Sequence, residues 1–449
     1  MTCFGVKPGI FSEEPLMPLN PQATELNEVI RAVNPHVFDL LSEKGKAIYF
    51  PKRGILAQSA DAKGKKINAT IGVALEDNGA PMTLQSIDQQ FNAGSKELFN
   101  YAPSPGRVDI RARWKEKMVL KNPLLKGQQI SMPVVTSALT HGLSMAGYLF
   151  VNPGDTIISP DLYWENYELI FNLAYGGQFR TFPTFSGNGF NVDGLRDAIE
   201  QSPAGKKVVI LNFPNNPTGY TATEQEGRQI RDILLASANA GNSIVLLVDD
   251  AYFGLVFEKG IMTESIFGLV ANCHERILAV KFDGPTKEDY VWGFRVGFIT
   301  LGTGKNSPEL YSAMESKIGG AIRGNISNAT NTGQMMLMKA YGNETYEQEK
   351  LEKYGILKRR YEKIRDILNT HQEYREFFEA LPFNSGYFMC VQFKGIDTEA
   401  VRRVLLDKFS TGVIAQGSII RIAFSSTPLS LIDTLMNNVY NACKELKKG

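Results

Sequence analysis

The sequence is poor in several residue types and patterns that carry function elsewhere. Its four cysteines, Cys3, Cys273, Cys390 and Cys443, lie far apart with no Cys-x-x-Cys pair. That excludes a disulfide framework and a zinc site of ordinary spacing. Its four histidines, His36, His141, His274 and His371, are too few and too scattered to suggest a metal cluster or a Cys–His pair. No run approaches ~18 consecutive apolar residues, so no segment reads as a membrane span. The opening residues, MTCFGVKPGIFSEEPLMPLNPQ, hold early acids and prolines and no apolar core, unlike a signal peptide. An excess of one charge is missing too. The 48 Lys and Arg against 47 Asp and Glu leave a formal net charge of +1, without the broad basic field of a nucleic-acid binder. What is present is 449 residues, 43% hydrophobic and 21% charged, globular proportions with room for roughly two to four domains. These exclusions leave a soluble protein of a reducing compartment, expected in the cytoplasm. Its expected partner is a small molecule, with no nucleic acid, no membrane and no metal.

The pattern along the chain is that of an α/β protein. The first ~60 residues read as an arm plus a helix over roughly 23–41. The stretch KINATIGV, Lys66–Val73, reads as a short strand ending at Gly72. From Val134 onward strands alternate with helices. Strands are predicted at Val134–Thr136, Thr156–Ser159, Gln178–Phe182, Lys207–Asn212, Ser243–Asp249, Arg276–Phe282 and Gly297–Leu301. Helices are predicted at His141–Phe150, Val192–Gln201 and Thr223–Asn239. The runs VVIL, IVLLVD and ILAVKF are short, continuous and rich in branched residues, which suits strands buried on both faces of a mostly parallel sheet. Beyond about residue 305 the pattern changes. Glu344–Asn369 is long and amphipathic. Strands follow at Tyr387–Phe393 and Ile419–Phe424, then a terminal helix from about Leu429. The expected division is an N-terminal arm and small-domain segment over 1–72, a large domain over 73–330 and a smaller α+β domain over 331–449.

Three consecutive strands end in residues with chemical potential. NFPNNPTG, Asn212–Gly219, follows the VVIL strand. Ligands in open α/β sheets bind outside such strand ends, although Asn, Pro and Gly also build plain turns. The next strand ends in VDDAYFG, placing Asp249 and Tyr252 at the same edge. A carboxylate there needs a partner, or it caps the next element. The third leads into DGPTK, with Lys287 followed by Gly293, Arg295 and Gly297. An Asn, an Asp with a Tyr, and a Lys with an Arg thus reach one sheet edge. This is the set that pyridoxal phosphate chemistry needs.

The order Asn-Pro-Thr-Gly, Asp-x-x-Tyr, Lys and Arg-x-Gly resembles that of the class I/II aminotransferases, fold-type I pyridoxal-phosphate enzymes of the aspartate aminotransferase superfamily. The resemblance is best from about Tyr101 to Thr330 and returns near Arg421. It implies a large domain with a mostly parallel seven-stranded sheet between helices, plus the smaller α+β domain. Lys287 would join the cofactor aldehyde and shuttle a proton. Asp249 would pair with the pyridine nitrogen. Tyr252 and Asn216 would hydrogen-bond the ring oxygen, and Arg295 would hold the phosphate. The phosphate would also meet the helix N-terminus at Ala138, Leu139 and Thr140. Ala138 and Leu139 depart from the family's usual Ser and Gly, so backbone amides and the Thr140 hydroxyl would serve. A second departure is Gly284, where many members carry a Ser; Thr286 is the candidate replacement. In Tyr163-Trp164-Glu165-Asn166-Tyr167, which resembles Trp-x-Asn-His, Trp164 is the expected stacking partner of the ring, with Tyr163 as rival. Tyr101 resembles the tyrosine that reaches the neighbouring subunit's phosphate.

Substrate residues follow in the same way. Arg421 lies inside the apolar run IIRIAFS, where an arginine is buried only with a partner. It resembles the arginine that binds the substrate α-carboxylate bidentately. Gly72 resembles the glycine near that group. Arg323, followed by Ser327 and Asn328, resembles the arginine lent by a partner subunit to a distal carboxylate. A plain surface arginine on a loop is the alternative. Gly302-Thr303-Gly304-Lys305 lacks the upstream glycine and the Ser/Thr of a phosphate loop.

The expected function is an aminotransferase running a ping-pong reaction between an L-amino acid, aspartate/glutamate or aromatic, and a 2-oxo acid. It would work as a homodimer with shared sites. The alternatives are another fold-type I enzyme, such as a C–S β-lyase or a decarboxylase, and a non-catalytic sensor of the cofactor or of an amino acid.

Overall fold

A computed structural model describes residues 19–34, 38, 39, 41, 46–48, 54–92 and 100–448. The opening run with Cys3, and also His36, lies outside the described residues. Met1–Lys52 and Arg53–Gly449 are two separate compact units. In the first, the helix Pro21–Val33 starts at Asn20, whose side chain accepts from the Gln22 amide. The predicted helix over 23–41 is found as far as Val33; positions 35–37 and 40 lie outside the described residues.

The second unit contains two main sheets. The larger has seven strands: β1 (Val134–Thr136), β2 (Thr156–Pro160), β3 (Gln178–Phe182), β4 (Lys206–Asn212), β5 (Ser243–Asp249), β6 (Ile277–Asp283) and β7 (Gly297–Thr303). Their order is β1-β7-β6-β5-β4-β2-β3. The five from β6 to β3 run parallel, and β7 is antiparallel to both β1 and β6. Val208, Val209, Leu246, Leu247, Ala279 and Val280 are all buried. Continuous apolar runs are the sequence form of such two-sided burial. The register pairs Asn212 with Asp249 and Asp249 with Phe282, so the C-terminal ends of β4, β5 and β6 lie level.

Helices flank this sheet. Glu224–Asn239 opens with a capping box, in which Thr223 and Glu226 satisfy each other's backbone amides. Ala138–Phe150 connects β1 to β2. Among the helices not predicted are Val108–Lys121, Pro308–Ile326 and Asn331–Ala340. Trp114 of the first stacks on Phe298 at 4.5 Å and donates from Nε1 to Asp283 at 2.9 Å. Behind it Lys281, fully buried on β6, pairs with Asp250 and, at 3.3 Å, with Asp283.

The smaller sheet is antiparallel, with β8 (Phe378–Ala380), β9 (Phe388–Phe393), β10 (Ile414–Gln416) and β11 (Ile419–Ala423) in the order β8-β9-β11-β10. The helices Tyr346–Thr370 and Ile432–Lys448 belong to the same part of the chain. The segment before Gly72 returns here. Ile67–Asn68 pairs in parallel with Thr411–Gly412, and Ala423 N donates to Ala69 O. This strand is shorter than KINATIGV suggested. Asn68 Oδ1 accepts from both the amide and the hydroxyl of Thr70, a local turn that competes with the ladder.

The two sheets meet at the Asn212–Gly219 loop. Asn384 N and Ser385 N both donate to Gly219 O. Gly219 has φ +72°, and a Cβ on it would stand 1.9 Å from Phe388 O. Only glycine suits both the left-handed backbone and that approach. Among the described residues, no helix is long and apolar enough to cross a membrane, and no group of His, Cys, Asp or Glu is placed to hold a metal ion.

Candidate active site

A cavity of about 550 Å³ opens at the ends of β4, β5 and β6, within the usual size of a small-molecule site. Lys287 sits in it, on the short helix Pro285–Glu288 directly after β6. Its Nζ lies 4.9 Å over the Tyr252 ring and forms no ion pair or hydrogen bond with the described residues. Burial lowers the amine from its ordinary 10.5 to about 8; Asp249 opposes the shift and Arg295 adds to it. The backbone around Lys287 is tightly held. Tyr387 Oη donates to Lys287 O at 3.1 Å. Glu288 accepts from Lys121 and Lys350, and Asp289 from Tyr341, Tyr346 and Lys350.

Asp249 ends β5 and is 3% exposed. Its Oδ1 accepts from Ala251 N at 3.1 Å and its Oδ2 from Tyr167 Oη at 2.5 Å. Burial pushes this carboxyl up, while the Tyr167 hydrogen bond, Lys287 and Lys281 pull it back. Asn212 Nδ2 donates to Asp249 O, and Asn212 Oδ1 accepts from Asn216 N, both at 2.7 Å. The loop is therefore spliced to the strand that carries the carboxylate. Tyr252, also buried, lines the cavity; burial raises its phenol.

Arg421 enters from β11 and is 4% exposed. It donates to Asn216 Oδ1 and to Thr70 O, each at 3.1 Å, and its guanidinium lies 4.4 Å over the Phe388 ring. Among the described residues its Nε has no partner, and it makes no ion pair with a described carboxylate. Burying such a cation is costly unless an anion joins it. Gly72 lines the cavity nearby.

Ala138, Leu139 and Thr140 begin their helix against the cavity, where first-turn amides have no acceptor of their own. Two glycines make this corner possible. A Cβ on Gly297 would stand 2.7 Å from the Ala138 carbonyl carbon, and one on Gly284 would stand 2.9 Å from Val296 O. The missing serine at Gly284 is thus explained, because β7 leaves no room for a side chain there. The buried Thr286 hydroxyl has no partner among the described residues and lines the cavity. Arg295 lines it too, with a left-handed φ of 53°.

Trp164 lines the cavity. Tyr163 is committed elsewhere, donating to Glu168 and stacking on Phe179 at 5.1 Å. Two candidates do not line it. Tyr101 is 89% exposed. Arg323 is exposed in the last turn of the helix Pro308–Ile326, not on a loop as the plain surface reading had it. Several lining residues were not foreseen. Ile55 and Ser59 come from the helix Ile55–Asp61, fixed by Gln58, whose side chain pairs with both the amide and the carbonyl of Ala415. Thr70, Trp292 and Phe388 also line the cavity. The contact of Tyr167 with Asp249 was also missed, although its position was visible. Tyr167 stands where the Trp-x-Asn-His pattern ends.

The donor set is specific. A helix N-terminus, the Thr286 hydroxyl and Arg295 line the same cavity and can offer donors to an anion. Asp249 can face a protonated ring nitrogen, Lys287 can react with a carbonyl, and Arg421 can take a carboxylate. These residues fit pyridoxal phosphate and an amino-acid substrate.

The family profile described as aminotransferase class I and II matches residues 64–439. Among curated proteins, an aspartate aminotransferase of Bacillus sp. (strain YM-2) is 25% identical over 292 residues, 64% of this chain and 68% of that protein. A probable N-acetyl-LL-diaminopimelate aminotransferase of Bacillus subtilis (strain 168) is 23% identical over 206 residues, 45% of this chain and 48% of that protein. The match therefore spans about half the length of this second relative. Among solved structures, an aminotransferase from Anaerococcus prevotii is 23% identical, with a TM-score of 0.78, over 90% of this chain and 99% of that one. At that identity the likeness supports the fold alone.

Proposed function

The chain belongs to the class I and II aminotransferases, a family of pyridoxal-phosphate enzymes, and from that premise we propose that it transfers an amino group between an L-amino acid and a 2-oxo acid in a ping-pong cycle. The observation that carries this is the pairing of two unmatched basic groups in one cavity. Lys287 holds an amine poised near neutrality, and Arg421 is a buried guanidinium with no carboxylate partner among the described residues.

Pyridoxal phosphate, when bound, supplies the electron sink that makes an amino acid's α-proton removable. The protein's own groups divide the remaining work. Lys287 Nζ would carry the cofactor and then take and return the α-proton, tasks that need a neutral amine. Asp249 would keep the ring nitrogen protonated. Asn216 and Tyr252 would hold the ring oxygen. The amides of 138–140, Thr286 and Arg295 would hold the phosphate, and Trp164 would cover the ring face. Arg421 and Asn216, beside Gly72, would fix the α-carboxylate.

The cycle runs in a homodimer with shared sites. Tyr101 and Arg323 support this, because each is exposed on the single chain, as a residue lent to a partner's site would be. Arg323 would then meet the distal carboxylate of aspartate or glutamate. Free Cys273, Cys390 and Cys443 suit a cytoplasmic location. The test is a panel of amino donors with 2-oxoglutarate and the cofactor-loaded protein. Glutamate formation supports the proposal. Pyruvate release without a keto-acid acceptor would instead indicate a β-lyase.

A further inference from the structure

We propose that Tyr167 is a positioning residue that holds Asp249 as an oriented anion facing the cavity. The inference rests on the cofactor assignment above and adds a residue to it. Tyr167 Oη donates to Asp249 Oδ2 at 2.5 Å across 82 positions of sequence. Tyr167 is 1% exposed, and its hydroxyl makes no other hydrogen bond with the described residues. Its ring is locked on three sides, by Tyr163 at 6.1 Å, Trp164 at 5.8 Å and Phe171 at 6.1 Å. It stands at the entry to a π-helical turn, Glu168–Leu173. Such turns re-aim side chains and recur at functional sites.

The chemistry follows from the surroundings of Asp249. Ala251 N occupies one oxygen and Tyr167 the other, which fixes the plane of the carboxylate. Lys287 and Lys281 face it as cations, and Tyr252 is the remaining titratable neighbour. Neither lysine makes an ion pair with it, because Lys281 is bound to Asp250 and Asp283. The phenol is therefore the direct side-chain donor that favours the charged form in a buried place. Burial keeps the phenol itself protonated. The edge contact with Trp164 couples this anchor to the wall expected to cover the cofactor ring.

The test uses apoprotein with carboxyl-labelled aspartate, with the Asp249 resonance assigned through Asp249→Asn. Wild type, Tyr167→Phe and Tyr167→His are titrated, and the affinity of each for pyridoxal phosphate is measured by equilibrium dialysis across the same pH range. Tyr167→Phe should raise the Asp249 midpoint by about one unit, roughly a tenfold change in protonation constant. Its cofactor affinity should fall only where the carboxyl has become neutral. Tyr167→His, which keeps a neutral donor, should lie between. An unchanged midpoint in Tyr167→Phe overturns the proposal, even if the variant melts earlier, because packing alone would lower stability without moving the titration. If wild type binds no pyridoxal phosphate at any pH, the cofactor assignment itself fails. That outcome is separate from the titration.

Discussion

Lys287 can be perturbed by pH alone. An ordinary lysine with a pKa of 10.5 has about one neutral amine in 3,000 at pH 7, whereas one at about 8 has about one in ten, a gain of roughly 300-fold. The causes predict the direction of each variant. Asp249 holds the proton on, so Asp249→Asn should move the midpoint below 8. Arg295 repels it, so Arg295→Gln should move it above 8. The assay is competitive acylation of the apoprotein with trace reagent, read at the Lys287 peptide by mass spectrometry from pH 6 to about 11. Reactivity should rise to a plateau with a midpoint about 8. The linkage sign is also fixed. The unfolded chain binds the Lys287 proton through the window from about 8 to 10.5 while the folded chain does not, so this group makes the apoprotein gain stability as pH rises across it. A Lys287 midpoint near 10, or variants shifting the wrong way, would refute this account of the cavity's electrostatics.

Other outcomes follow from single side chains. Arg421→Gln removes the charge that would pair with the α-carboxylate, about 3–4 kcal/mol for two charge-assisted bonds, so kcat/KM should fall roughly 10²–10³-fold in steady-state assays. Arg323→Ala should raise KM for aspartate and glutamate and leave aromatic donors unchanged; equal behaviour toward dicarboxylates before and after would dismiss a distal-carboxylate role. Lys281→Met strands Asp250 and Asp283 in the interior and should cost about 3–5 kcal/mol in urea unfolding.

The sheet was legible where burial is two-sided. Ser243–Asp249 has the predicted bounds, because such a strand is written as a continuous apolar run; Gln178–Phe182 also has them, although it is an edge strand that is mostly exposed or half-buried. The helix Pro308–Ile326 was not legible. It carries Gly319, Gly320 and Gly324, each of which lowers helix propensity, yet Gly319 packs closely, with Pro105 at 3.2 Å from a would-be Cβ. In the site, residues at strand ends announced themselves: Asn216, Asp249, Lys287, and Arg421 inside its apolar strand. Ile55, Ser59 and Thr70 did not, because their places come from distant pairings, Gln58 with Ala415 and Ile67 with Thr411. Tyr167 ends a recognisable motif, but its bond to Asp249 is a tertiary contact that no local pattern encodes.

The central claim is that Lys287 carries the cofactor. Purified protein loaded with pyridoxal phosphate is reduced with borohydride, and the modified peptide is identified for wild type and Lys287→Ala. The account predicts a single reduced adduct, on Lys287, absent from the variant. An adduct retained by Lys287→Ala, or mapped to another lysine of the wild type, would contradict it.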